Sequence, residues 1–117
     1  MIRRGDVVIV DIPFTDVARS KARPAVVVQN DRDNGRVRKT IVAGITGNKL
    51  RLGDPSHFLI DPATPEGISA GIHGSSMVSC NNLFTIEQSK IRRTVGHLSD
   101  ALKQKLNDCL KAALEIV

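Results

Sequence analysis

The chain has 117 residues, 17 of them Lys or Arg against 12 Asp or Glu, for a formal net charge of +5. That length fits one domain with its own core, expected to span residues 1–117, and no apolar run nears the roughly 18–20 residues of a membrane span. The absence of Trp and Tyr, with only 3 Phe, excludes an aromatic base-stacking platform.

Charge is unevenly spread. Residues 1–51 hold 11 Lys+Arg against 5 Asp, a balance of +6, whereas residues 52–117 hold 6 against 7, a balance of −1. A basic half beside a near-neutral half suits a polyanionic partner such as nucleic acid. The start is charged but reaches Asp6 and Asp11 too soon for a signal peptide. Cys80 and Cys109 lack metal-ligand spacing and read as buried free thiols, which points to a reducing, cytoplasmic setting.

In chain order, "DVVIVDI" (6–12) is a β-branched run that predicts a strand opened by Gly5. The stretch from Pro13 to Pro24 reads as a loop of about 12 residues, a length that often marks function. "AVVVQ" (25–29) predicts a buried strand, and Asn34-Gly35 a hairpin turn leading to the returning strand "TIVAGIT" (40–46). A polar loop (47–56), a short strand "HFLID" (57–61) and a Gly/Pro/Ser-rich loop (62–76), with a turn or short edge pairing within 67–74, come next. "SMVSCNNLFTI" (76–86) predicts a strand ending near Asn82, and "IRRTVGHL" (91–98) a short strand or extended connector.

The clearest helix is the last. Ser99 suits its N-cap, and Leu102, Leu106, Cys109, Leu110, Ala113 and Val117 form one apolar stripe. The expected class is mainly β, within α+β: a curved antiparallel sheet or small barrel closed by a C-terminal α-helix.

Several chemistries lack the residues they need. His57, His73 and His97 stand apart, with no metal-binding pair between them, and Asp31 and Asp33 flank Asn-Gly, where turn-forming Asp is usual. No phosphate-binding glycine fingerprint and no nucleophile elbow is present. A histidine-pair ribonuclease mechanism stays open, since spatial pairing is not written in sequence. Arg23 stands directly before Pro24, which holds it extended, and its planar fork of donors suits a phosphate. Taken alone, Arg23 reads sooner as a solvated strand-entry charge or an ion-pair partner of Asp6 or Asp11 than as a phosphate-binding group. Thr46 alone reads as an ordinary strand residue.

In order and spacing, "RRGDVVIVDIPFTD" (3–16), "RPAVVVQND" (23–31), "TIVAGIT" (40–46), "GSSMVSCNNLFTIEQSKI" (74–91) and "VGHLSD" (95–100) resemble the MazF/PemK family of toxin endoribonucleases. The resemblance implies an SH3-like small barrel and the toxin of a type II toxin–antitoxin pair. It implies metal-independent cleavage of single-stranded RNA, without cofactor, by attack of the ribose 2′-OH to leave a 2′,3′-cyclic phosphate and a 5′-OH. By position, Arg23 and Thr46 correspond to the catalytic pair. Arg19, Lys21, Gly47, Lys49, Asn81 and Asn82 become candidate RNA contacts, and His73 either a proton carrier or a plain loop histidine. Expected partners are single-stranded RNA, an acidic MazE-like antitoxin and a second copy of the chain in a homodimer.

Two departures from the family pattern stand out. Asn81-Asn82 replaces a Glu-Gln type pair, and "VARSKA" (17–22) replaces a G-S-E-Q type loop. The alternative from another class is a non-enzymatic toxin of the same fold that binds DNA gyrase, like the CcdB family. That family relies on a C-terminal Trp, which this chain lacks.

Overall fold

The computed structural model of the chain describes residues 1–13 and 20–117, with side chains at 1–11 and 22–117. Its strands are β1 (Asp6–Pro13), β2 (Ser20–Val27), β3 (Lys39–Thr46), β4 (His57–Ile60), β5 (Ser76–Glu87) and β6 (Ile91–His97). The helices are α1 (Asp31–Asn34), α2 (Pro65–Ser69) and α3 (Asp100–Leu114). Among the described residues the strands form one six-stranded sheet in the order β4-β5-β3-β2-β1-β6, every neighbouring pair antiparallel.

Alternation along the strands divides the apolar residues between two faces. One face carries Val7, Val26, Ala43, Ile45, Val78 and Cys80 against Leu98, Leu102, Leu106 and Cys109 of the C-terminal segment. The other gathers Val8, Val10, Ala25, Val27 and Val42, with Phe84, Ile86 and Ile91 packed beside them. Helix α3 begins as expected: the Ser99 hydroxyl accepts from the N–H of Leu102 at 3.2 Å. Its stripe buries Leu102, Leu106 and Cys109, but Val117 is exposed, because Glu115 turns left-handed at φ 58° and ends the helix.

Four expectations need correction. Residues 20–24 are strand, not loop: Ser20 pairs with Pro13, Lys21 with Ile12, Arg23 with Val10 and Pro24 with Ile9. Asn34-Gly35 makes no two-residue hairpin turn. Asn30 instead caps a short helix by accepting from the Asp33 N–H at 2.8 Å, and Gly35 has an ordinary φ of −86°. Asn34 faces inward, where it accepts from the Thr40 hydroxyl at 2.7 Å. The 62–76 loop holds α2, capped by Thr64 with Pro65 in its first turn. Its exit needs a glycine: Gly71 has φ +73°, and a Cβ there would lie 2.2 Å from the Val95 carbonyl oxygen.

The fourth correction shapes the site. Strand β5 does not stop near Asn82 but runs on to Glu87, across a β-bulge. Gly44 pairs with Ser79 and the adjacent Ala43 with Leu83, so Cys80, Asn81 and Asn82 have no partner on β3. Cys80 turns into the core while Asn81 and Asn82 are exposed. A bulge of this kind bends the strand and re-aims its side chains.

Candidate active site and RNA-facing cleft

The β2–β3 ladder runs Val27↔Val42, Val26↔Ala43, Ala25↔Gly44 and stops there, one residue short of Pro24. Proline has no N–H to contribute to a ladder. Continued by two residues, the same register sets Arg23 across from Thr46, on the face that carries Ala25 and Gly44. Arg23 is exposed there, backbone-paired to β1. Asp6 bonds His97 Nδ1 at 2.6 Å, and Asp11 holds the Arg92 guanidinium at 2.8 Å.

Thr46 ends β3 and lines a cleft of about 270 Å³ with Asn48, Arg51, His57, Ser79, Asn81 and Asn82. Its Oγ1 accepts from the Asn48 N–H at 3.1 Å. That bond leaves the hydroxyl hydrogen free to be donated to a ligand. The 47–56 loop holds its own shape by similar local bonds: Asn48 Oδ1 accepts from the Leu50 N–H at 2.9 Å, and Asp54 Oδ1 from the Ser56 N–H at 2.9 Å.

The cleft floor is a continuous polar network. Asn82 Nδ2 lies 3.2 Å from Ser79 Oγ, which lies 2.9 Å from His57 Nε2. On the other side of the ring, His57 Nδ1 lies 3.4 Å from Ser56 Oγ, which also meets Asn81 Nδ2 at 3.0 Å and Asp54 Oδ1 at 2.7 Å. Arg51 stands at the rim, 69% exposed, with a loose 3.6 Å contact to Asp54. The Asp54 carboxyl is held below its ordinary pKa of 3.8. The Ser56 N–H contributes most to that shift, then the Ser56 hydroxyl, with His57 and Arg51 acting against desolvation.

The sequence candidates therefore separate. Thr46, Asn81 and Asn82 share the cleft; Arg23 is not in its lining and stands on the neighbouring strand, two residues beyond the last β2–β3 pair. Gly47 and Lys49 lie on the loop that leaves Thr46, outside the cleft lining. Arg19 and the side chain of Lys21 lie outside the described residues. His73 lines a different hollow of about 220 Å³, mostly apolar, with Pro24, Ile45, Ile72, Arg93 and Val95.

Sequence reasoning missed His57, whose side chain is only 7% exposed, and with it Ser56, Ser79 and Asp54. The available signal was "DPSH" (54–57), an Asx-turn sequence running straight into a strand, but its partners on β5 are more than 20 residues away. Among the described residues, no group of three or more His, Cys, Asp or Glu could hold a metal ion.

A family model described as the PemK-like, MazF-like toxin of type II toxin–antitoxin system matches residues 3–114. Endoribonuclease EndoA of Bacillus subtilis is 27% identical over 118 residues, covering 100% of this chain and 97% of that protein. Endoribonuclease MazF of Staphylococcus saprophyticus is 27% identical over 115 residues, covering 97% and 92%. Among solved structures, a mycobacterial endoribonuclease in complex with its cognate antitoxin superposes with a TM-score of 0.80 at 20% identity, covering 100% of this chain and 98% of that one. A MazE–MazF structure from Deinococcus radiodurans gives 0.73 at 17% identity, covering 99% and 98%. At those identities the structural likeness speaks for the fold.

Proposed function

The chain belongs to the family of PemK-like, MazF-like toxins of type II toxin–antitoxin systems, and from that premise we propose that it is a single-domain, metal-independent endoribonuclease acting on single-stranded RNA in the cytoplasm. The observation that supports the mechanism is the β2–β3 register, whose continuation two residues past its last pair sets Arg23 across from Thr46, a residue that lines a polar cleft.

In the proposed reaction the ribose 2′-oxygen attacks the adjacent phosphorus, losing its proton as the new P–O bond forms. The P–O5′ bond breaks, and the leaving oxygen takes up a proton to become a 5′-OH. The products are a 2′,3′-cyclic phosphate and a 5′-OH end. Only a nucleotide with a 2′-OH can react in this way, which selects RNA over DNA. The five-coordinate transition state gathers negative charge on its equatorial oxygens. A permanently charged guanidinium at Arg23 neutralises that charge, and the free hydrogen of the Thr46 hydroxyl adds a bond to it. Because a guanidinium keeps its proton at any working pH, arginine serves as an electrostatic group and not as the general base.

Arg19, Lys21 and Lys49 are proposed to hold the RNA backbone, with Gly47 permitting close approach beside Thr46 and Asn81 and Asn82 meeting bases. Within the family context, the basic half of the chain suits an acidic antitoxin segment that competes for the same surface. A homodimer is the proposed active unit. The gyrase-binding alternative is set aside by the family match and by the absence of Trp.

The test is single-turnover cleavage, in excess EDTA, of a DNA–RNA chimera carrying one ribonucleotide at the site mapped in transcripts. Undiminished cleavage leaving a cyclic phosphate is expected. Loss on chelation with recovery on adding a divalent ion, or cleavage of the all-DNA control, would overturn the mechanism.

A further inference from the structure

The hydrogen bonds of the cleft floor have a direction, and it originates at Asp54. The carboxyl of Asp54, held below its ordinary pKa, is ionised near neutrality and can only accept. Ser56 Oγ lies 2.7 Å from Asp54 Oδ1, so the single hydroxyl hydrogen of Ser56 is committed there. For its other two neighbours Ser56 has only lone pairs. Asn81, at 3.0 Å, must therefore turn its NH₂ toward Ser56. His57 Nδ1, at 3.4 Å, bonds Ser56 only by donating, and in the Nδ1–H tautomer Nε2 is an acceptor.

The relay continues across the ring. In that tautomer Ser79 Oγ, 2.9 Å from Nε2, is the donor to that nitrogen. Its oxygen then accepts from Asn82 Nδ2 at 3.2 Å. Both asparagines are fixed in the same sense, with NH₂ against the floor and Oδ1 left to whatever enters the cleft. The bulge supplies the placement: a Cβ on Gly44 would touch the Asn82 Cβ at 3.6 Å, so Asn82 lies over Gly44, two residues before Thr46.

We propose that Asp54, acting through Ser56, His57 and Ser79, is the positioning residue that orients the Asn81 and Asn82 amides, so that the cleft presents two carbonyl acceptors and selects RNA bases offering a hydrogen-bond donor at two positions. This rests on the reading of the cleft as an RNA site. The selectivity is a property of the network as much as of the two amides, since a free asparagine side chain flips and reads a donor or an acceptor equally well.

The first test needs no RNA. Nitrogen-15 NMR of the full chain should show His57 protonated at Nδ1, and Asp54→Asn should disturb that tautomer. An Nε2–H ring in the parent protein would overturn the relay. The second test replaces each base of the mapped cleavage sequence in turn by an analogue lacking its donor. In the parent, two positions should each lose roughly 5- to 150-fold in single-turnover kcat/KM. Ser56→Ala should erase the discrimination at one of them and Ser79→Ala at the other. Asp54→Asn should weaken both, and Ser56→Thr, which keeps the hydroxyl, should restore the first.

Thermal unfolding confirms that each variant is folded before its selectivity is read. Equal losses on every sequence, or no cost of removing donors from a substrate the parent cleaves, would sink this proposal alone. A parent that cleaves no RNA would sink the ribonuclease reading and this proposal with it.

Discussion

The core under α3 and the cleft beyond the end of the β2–β3 ladder are built on the same sheet but by opposite rules. The core face joins Val7, Val26, Leu98 and Leu106, each fully buried, through contacts that have no preferred direction. The cleft joins Asp54, Ser56, His57, Ser79 and two asparagines through bonds whose order cannot be reversed without leaving a group unsatisfied. The core tolerates a change of side chain if volume is kept, whereas the cleft is altered by the loss of one hydrogen. Cys80 and Asn81 show how closely the two regimes meet, the first buried in the core and the second exposed at the cleft, one residue apart.

If the regions are separable, damage to the core should cost stability and leave selectivity alone. Leu106→Ala removes a fully buried side chain beneath the sheet and should lower unfolding free energy by about 2–5 kcal/mol. Urea unfolding measures the loss, and cleavage of the surviving folded fraction should keep its base preferences. A shift in preference would show that the core and the cleft are one unit.

The converse change is Arg23→Ala. As an exposed residue in a strand already paired to β1, it should alter stability by no more than about 0.5 kcal/mol. Transition-state stabilisation should fall by about 2.7–4 kcal/mol, on the order of 100- to 1000-fold in single-turnover rate. Arg23→Lys keeps the charge but loses the planar fork, and should recover only a small part of the rate with RNA affinity near that of the parent. Thr46→Ala should add little on top of Arg23→Ala, because groups serving one transition state are not additive. A near-parental rate for Arg23→Ala would end the case for this residue.

The same contrast explains what could be read before the structure. Burial leaves a periodic trace, so β1, β3, β4 and α3 were legible from runs such as "DVVIVDI" and from the Leu102–Leu106–Leu110 spacing. Arg23 and Thr46 were nominated through family motifs alone, and their catalytic role is a proposal. The His57–Ser79 contact was not, because it joins residues 22 apart across a strand pair and polar residues leave no periodicity. The bulge was invisible for a related reason: Cys80-Asn81-Asn82 looks like a strand end until Leu83–Glu87 are seen to pair with residues 39–43 of β3. Asn34-Gly35 misled because Asn30 offers the chain a competing helical cap.

A smaller effect probes the boundary of the core. Ser99→Ala removes the hydroxyl that accepts from the Leu102 N–H and should cost about 1 kcal/mol. Amide hydrogen exchange should show faster opening in the first turn of α3, with cleavage selectivity unchanged. Protection lost equally along β4 and β5 would mean that helix and cleft unfold together.

The smallest expected effect is also the one that sets the two regions against each other most directly, because they fail at opposite ends of the pH scale. Burial pushes the Cys80 thiol from 9.0 up to about 12. The fold therefore favours the neutral thiol, and its contribution is complete below about pH 9 and lost as pH rises toward about 12. Asp54 shifts the other way. Its carboxylate is favoured by the fold, so that contribution is present above its ordinary value of 3.8 and is lost as pH falls through the lower folded value. Asp31, lowered chiefly by the Arg4 N–H, adds to the same acid limb from outside the cleft. Tm measured across both limbs should therefore respond selectively. Asp54→Asn should make the acid limb shallower and leave the alkaline limb unchanged, while Cys80→Ala should lower Tm throughout and flatten only the alkaline limb. An Asp54→Asn protein whose acid limb is as steep as the parent's would show that the carboxylate is not held by the Ser56 N–H and hydroxyl, and the direction of the cleft relay would lose its origin.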